Sequence, residues 1–441
     1  MAPPDDTAEP LALLVSAETG APLPAGSLAA VETQLDPAQL AAARIHAFSS
    51  GRVPERDGRA VLSWGIAARL RLPAGIGAGG AAAHAEALLT AISGGEEARA
   101  LALGALPFDP LEPGELVIPA VVVIERRGRP PVARAIGTSD ELTGLLGSFP
   151  FAAPADAPPP PARAELPDQF TLVSSRSHAE FRALVAEAVA ALNDGELDKV
   201  VLAREVLVRA NRPFQQADLL GRLRALHPSC LTFAIDGFIG ASPELLCRRR
   251  GPAVASEPLA GTVARSGDPE ADERLAEGLF SSPKERREHR LVVDAIAAVL
   301  APACSELAIP EVPIVLELRN VAHLATPIRG HLRTDHDLPG VLQLTAALQP
   351  TPAVGGWPRD AALSYLAKHE GLERGRYAGP VGYLEAGGDG EFWLGIRSAQ
   401  ITGNEARLMA GVGIVPGSDP VAELAETQLK LQALLAVAVR P

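Results

Sequence analysis

Cysteine is scarce in this chain, with three residues in 441: Cys230, Cys247 and Cys304. None stands in a C-x-x-C pair, so the set offers no disulfide framework and no zinc site, and it fits a reducing, cytoplasmic setting. A basic excess is also missing. Forty Lys and Arg face 53 Asp and Glu, giving a formal charge of −13, which excludes a broad nucleic-acid surface. A site for an anion must then be a local basic or metal-bearing pocket. No apolar run reaches the length of a membrane span, which excludes a membrane role. The run from Leu11 to Val15 is too short even for a signal core, and the opening Met1-Ala-Pro-Pro-Asp-Asp6 is acidic where a signal peptide is basic. Aromatics make up only 4%, so Ala, Leu and Val must carry the core within an ordinary hydrophobic fraction of 47%.

The length suffices for one large domain with an oversized core, or for two or three average ones. The strongest break is 154–167, with consecutive prolines at 158–161, which reads as a polyproline-II-like connector. The first ten residues read as disordered. In the N-terminal third, strands are predicted over 60–72 and 115–125 and a helix over 81–92. Gly75, Gly77 and Gly80 form a G-x-G-x-x-G, but Pro73 interrupts the approach, and Glu96-Glu97 precedes the next apolar run where a ribose-binding acid should end it. A glycine-rich connection is the better reading than a dinucleotide site.

Beyond the connector, Phe181, Leu184, Val185, Ala188, Val189 and Leu192 recur at helical spacing, and Asn193-Asp194-Gly195 ends the run. Residues 199–208 are β-rich and apolar on both faces, which predicts a strand buried in a large sheet. Further strands are predicted at 231–235, 314–318, 379–384, 391–396 and 407–410. Further helices are predicted at 283–300, 338–348, 359–372 and 420–439. Many strands with interspersed helices point to an α/β or α+β fold with extensive sheet.

Several charged residues sit where charge is costly. Lys199 heads the buried strand and must either snorkel to solvent or serve as a desolvated base. Glu244 follows a turn at Ile239-Gly240 and precedes Leu245 and Leu246. It is either a turn glutamate in water or a carboxyl kept protonated for general acid work. Glu285 and Glu288 extend the apolar stripe of Val292, Ile296 and Val299, either as hard-metal ligands or as company for a helix dipole. Glu423, Glu426 and Lys430 share one stripe of the last helix, either as an ion pair on a solvated face or as metal and substrate contacts. Before that helix, Gly411, Gly413, Pro416 and Gly417 suggest a turn whose amides hold an anion.

The order of these segments resembles the chorismate-utilising enzymes: isochorismate synthases, salicylate synthases, and the synthase subunits for anthranilate and aminodeoxychorismate. The stretches that carry the resemblance begin with Lys199-Val-Val-Leu-Ala-Arg204, Ser242-Pro-Glu-Leu-Leu246, Pro258-Leu-Ala-Gly-Thr262 and Glu288-His-Arg-Leu-Val-Val293. They continue through Gln349-Pro-Thr-Pro-Ala-Val-Gly-Gly356, Arg376-Tyr-Ala-Gly379, Gly395-Ile-Arg397, Ala410-Gly-Val-Gly-Ile414 and Glu423-Leu-Ala-Glu-Thr-Gln-Leu-Lys430. They lie within 174–437, and a fainter echo, Phe108-Asp-Pro with Leu116-Val-Ile-Pro119, reaches into the N-terminal third.

The resemblance implies one domain over 1–441, with 11–153 as an N-terminal sheet portion, 154–167 as a loop within it, and two large facing sheets with outer helices around the active site. It implies that Glu288 and Glu423 bind Mg²⁺ with Glu285 and Glu426 in support, the metal holding the ring carboxylate of chorismate. Arg397, Tyr377, Lys430 and the amides around Gly411 and Gly413 would take the enolpyruvyl carboxylate, Gly261 and Thr262 would line the ring, and His323 would lie near it. Lys199 matches the family's base and Glu244 its acid, on opposite faces of the ring. Ammonia-using members usually lack a basic residue at the 199 position, and aminodeoxychorismate synthases often carry a lysine where Ala260 stands. Both features point to water as the nucleophile. Ala353 replaces the threonine usual in salicylate synthases, while Val263 stands where many members have arginine. The implied protein is a Mg²⁺-dependent isochorismate synthase, acting as a monomer without an obligatory amidotransferase. The pathway its product feeds, menaquinone, siderophore or another, is left open.

Overall fold

The computed structural model describes residues 13–16, 21–23, 28–34, 48–52, 60–76, 80–92, 99–126, 129–138, 141–142, 165–335 and 337–439. The proline-rich connector as far as residue 164, Gly77, the Glu96-Glu97 pair and the first ten residues lie outside them. Every strand pairing described below is antiparallel.

The ten-stranded sheet runs Leu13–Ser16, Ala68–Leu72, Gly114–Ile118, Leu101–Ala105, Pro380–Glu385, Gly390–Leu394, Leu245–Arg250, Ala253–Glu257, Ile328–Leu332 and Cys304–Ala308. Strands from the N-terminal third therefore share a sheet with strands from the C-terminal half, the seam being Leu101–Ala105 against Pro380–Glu385. A seven-stranded sheet is built on Lys199–Ala210, which pairs with Phe170–Ser174 on one side and Glu405–Ile414 on the other, and continues through Ser398–Thr402, Phe238–Ser242 and Leu231–Ile235. Phe233, Ile235 and Phe238 from this sheet pack in one apolar cluster with Leu103, Leu245, Val381 and Trp393 from the other, so the two large sheets face each other as expected. Two smaller sheets join them. One has three strands, Leu259–Ala264, Val321–Ala325 and Ile314–Glu317; the other has five and includes Ala60–Trp64 and Val121–Arg126.

Local sequence explains most element ends. The span 60–72 is two strands rather than one, because Gly65 turns the chain at φ +60°. The span 115–125 likewise divides at Pro119-Ala120, between Gly114–Ile118 and Val121–Arg126. Helix His178–Asn193 starts on a capping box of Ser177 with Glu180 and buries Phe181, Leu184, Val185, Ala188 and Leu192, the stripe that the spacing predicts. Two helices matter for the site. Pro283–Leu300 begins at Ser282, whose hydroxyl accepts from the Glu285 amide, and Pro420–Ala438 begins at Asp419, whose carboxylate accepts from the Ala422 amide. Each has proline in its first turn, so both starts are fixed and the acids of the following turns take set positions. No helix among the described residues is long and apolar enough to cross a membrane.

Candidate active site

A cavity of about 280 Å³ lies against the seven-stranded sheet, the three-stranded sheet and the starts of these two helices. Most of the residues singled out in the sequence line it: Glu244, Gly261, Thr262, Glu285, Glu288, His323, Ala353, Tyr377, Arg397, Gly411, Gly413, Glu423, Glu426 and Lys430. Lys199 stands just behind that wall. It is 1% exposed, and its ammonium donates to Glu288 Oε1 at 2.8 Å. The snorkelling alternative is thereby closed.

Gly413 makes this contact possible. A Cβ there would fall 2.6 Å from Glu288 Oε1 and 3.0 Å from Lys199 Cε, so any side chain would separate the pair. Gly411 and Gly413 do not form the turn suggested by their spacing. They lie within strand Glu405–Ile414, opposite Ala203 and Val201. The neighbouring strand Ser398–Thr402 pairs only as far as Leu408, so the outer edge of 409–414 has no strand partner among the described residues and faces the cavity. Anion-binding amides can come from this open edge. At Gly411 that edge is already used: its carbonyl accepts from Lys430 Nζ at 3.0 Å, and its amide meets the Tyr377 hydroxyl.

Glu244 follows strand Phe238–Ser242 and is not a turn residue in water. It is 4% exposed, and its Oε1 accepts from the Leu259 amide at 3.3 Å. Burial pushes its carboxyl up to about 8, outweighing the pull of the Leu259 amide, Lys199, Lys430 and Arg397. It can hold a proton at neutral pH.

At the opposite end four glutamates gather. Glu285 is pushed up to about 7 by burial and by Glu288, and Glu423 is raised by burial and by Glu426, partly offset at each by nearby donors and Lys284. Burial works against ionisation of Glu288 as well, but Lys199, Lys430 and Lys284 hold it below the ordinary carboxylate range. Glu426 and Lys430 do form the i, i+4 pair, at 2.7 Å, though facing the cavity rather than bulk water. Gly261, at φ +74°, brings the backbone close enough to Glu285 that a Cβ would lie 3.0 Å from its Oε2.

Arg397 is 9% exposed and adopts φ +50°. Its Nη2 lies 2.8 Å from His323 Nε2. A guanidinium can only donate, so His323 Nε2 accepts and Nδ1 carries the proton, facing the Gly261 carbonyl at 3.1 Å and Thr262 Oγ1 at 3.2 Å. Burial and the Arg397 and Lys430 charges keep His323 well below its ordinary value, consistent with a neutral ring. The residues at 261, 262, 323 and 397 thus form one connected unit across two sheets.

Three features were not read from the sequence. The Glu370–Arg374 pair is 2.6 Å apart and buried; Arg374 also donates to the carbonyls of Val201 and Val354, Glu370 accepts from the Ala203 amide, and the guanidinium lies 4.2 Å from the Phe108 ring centroid. An i, i+4 acid–base spacing is also the commonest surface pattern, so it gave no signal. Cys230, buried, accepts a hydrogen bond from Arg397. Lys284 lines the cavity mouth beside Glu423 at 3.5 Å.

A buried proton donor, a buried amine, a guanidinium and a carboxylate cluster around one small cavity define an acid–base enzyme for a small anion. The chain belongs to the chorismate binding enzyme family, whose model matches residues 151–439. It is 43% identical over 265 residues to the salicylate biosynthesis isochorismate synthase of Pseudomonas aeruginosa, a match covering 59% of this chain and 55% of that protein. Over 346 residues it is 39% identical to the putative isochorismate synthase MenF of Mycobacterium tuberculosis, covering 76% and 85% respectively. The structure of MenF, the menaquinone-specific isochorismate synthase of Escherichia coli, superposes with a TM-score of 0.76 at 29% identity, covering 97% of this chain and 96% of that one.

Proposed function

We propose that this chain converts chorismate to isochorismate by adding water at C2 and expelling the C4 hydroxyl. Water is a poor nucleophile until a base removes its proton, and hydroxide is a poor leaving group until an acid supplies one. Lys199, once its ammonium has released a proton to solvent, takes the proton from the incoming water while the water oxygen bonds to C2. The ring double bonds shift, the C4–O bond breaks, and the Glu244 proton departs with the hydroxyl as a second water. Lys199 ends as ammonium and Glu244 as carboxylate, and exchange with solvent restores both. The observation that carries this reading is the presence, at one cavity, of a buried lysine and a buried carboxyl held protonated near pH 7.

Arg397, the open strand edge at Gly413, and Tyr377 and Lys430, both held on Gly411, bind the enolpyruvyl carboxylate. Gly261, Thr262, His323 and Ala353 shape the ring site. Among the described residues no three carboxylate, imidazole or thiol side chains converge closely enough to cage an ion. Mg²⁺ does not need such a cage: it takes oxygen donors and is commonly held by one or two carboxylates, with water and substrate completing the shell. Glu288 and Glu423 would be those carboxylates, with Glu285 and Glu426 behind them. When bound, the ion supplies a positive anchor for the ring carboxylate and screens it against developing charge. Water needs no delivery subunit, so the reading includes a monomer and no amidotransferase.

Incubation with chorismate and Mg²⁺ in ¹⁸O-labelled water tests the reading, since the two isomers have equal mass in ordinary water. One ¹⁸O in a product that separates from chorismate is expected. Stoichiometric pyruvate and salicylate, or turnover only with ammonium, would reassign the chain to another branch of the family.

A further inference from the structure

The carboxylate end of the cavity is answered by three ammonium groups of unequal freedom. Lys199 is 1% exposed and set against Glu288 beneath Gly413, and Lys430 is held twice, by Glu426 at 2.7 Å and by the Gly411 carbonyl at 3.0 Å. Lys284 differs from both. Its side chain is 44% exposed, and its ion pair is the longer 3.5 Å contact with Glu423. Glu285 and Glu288 also lie within reach of its charge.

Its place in the chain makes this more telling. Lys284 follows Pro283 in the first turn of helix Pro283–Leu300, where the positive end of the helix dipole disfavours a cation. The helix therefore gives no reason for the ammonium to turn inward. The carboxylates across the cavity do, Glu423 being only 6% exposed and on the facing helix. A long, flexible lysine stem is suited to occupying such a place and leaving it.

We propose that Lys284 is a resident counter-cation of the carboxylate end, seated on Glu423 in the metal-free protein and displaced to solvent when a divalent ion binds, so that it sets the metal affinity. This rests on the reading that these glutamates hold such an ion. The displaced ammonium makes binding an exchange of one cation for another, and affinity for the free ion is correspondingly weakened.

The test is a titration of the full chain with Mg²⁺ alone, without chorismate, by calorimetry, with Mn²⁺ as a spectroscopic check. Wild type is compared with Lys284→Met, Lys284→Gln and Lys284→Arg. Loss of the charge should tighten binding by about tenfold, a figure discounted for partial exposure. The arginine variant should stay near wild type. Saturating Mg²⁺ should also raise the melting temperature more in Lys284→Met than in wild type, because tighter binding gives more linkage stabilisation. The methionine and glutamine variants should agree, which guards against one of them folding poorly. Unchanged or weaker binding in both neutral variants would overturn the proposal while leaving the metal reading intact. A wild type that binds neither ion would overturn both.

Discussion

The two ends of the cavity are built in opposite ways. Around Arg397 the groups are buried, and each hydrogen bond fixes the next: guanidinium to His323, imidazole to Gly261 and Thr262, with Tyr377 on Gly411 beside them. At the glutamate end exposure is uneven, from Glu423 at 6% to Lys284 at 44%, the acids are paired with lysines, and their carboxyls lie on both sides of the ordinary range. One end is set before substrate arrives; the other carries charges that can exchange partners. A fixed site suits a planar carboxylate met by a planar guanidinium. An adjustable one suits an ion that keeps part of its water shell. Lys199 and Glu244 lie between these two regimes, Lys199 bonded to Glu288 and Glu244 under the charges of Lys199, Lys430 and Arg397.

The sharpest way to break this contrast is at the adjustable end. Glu288→Gln and Glu423→Gln should each abolish measurable turnover while the chain stays folded, since a neutral amide replaces one member of a crowded acidic group. Circular dichroism together with product assays checks this, and full activity of wild type in excess chelator would remove the metal from the account. Next in size is Glu244→Gln, which should lower kcat by about 10²- to 10⁴-fold, the range for loss of a general acid, with chorismate binding retained.

A smaller effect tests the frame of the fixed end. Arg374→Met strands Glu370, which is 2% exposed, without its counter-charge. Urea unfolding should show a loss of about 3–5 kcal/mol, and the double variant Glu370→Gln with Arg374→Met should recover part of it. The mildest perturbation is pH. Glu244 must be protonated to act, and its carboxyl lies at about 8 rather than the ordinary 4.5. The rate should therefore fall as pH rises through about 8, the limb set by the acid. A limb near 4.5 instead would contradict the desolvation argument.

The residues proposed to act were legible as a set because motif order singled them out; the structure gathers them at one cavity, and burial explains why Lys199 and Glu244 are costly where they stand. Strand Leu245–Arg250 was not legible. Three successive arginines disguise it, yet Arg248 pairs with Glu391 at 2.9 Å and Arg249 is 5% exposed, so charge that reads as surface is satisfied inside the sheet. The short strands Ala253–Glu257, Val321–Ala325 and Ile328–Leu332 were also missed. Ala253–Glu257 and Val321–Ala325 are buried among neighbours and have no exposed polar face to alternate with the apolar one, whereas Ile328–Leu332 does alternate, with Arg329 and His331 exposed, but over only five residues. The position of Gly411 and Gly413 was misread as a turn because glycine marks turns more often than it marks close approach. What decides the case is the pair behind them, Lys199 and Glu288, which sequence spacing cannot bring together.

The most direct measurement is single-turnover ¹⁸O incorporation by Lys199→Gln, with chorismate affinity measured on the same protein. If Lys199 activates the water, labelled product should form at least about a hundredfold more slowly than in wild type. Chorismate should bind within a few-fold of wild type, because Arg397 and Lys430 are untouched and the glutamine amide can still donate to Glu288. Retention of more than about a tenth of the wild-type rate falls short of a general base's contribution and would contradict the assignment.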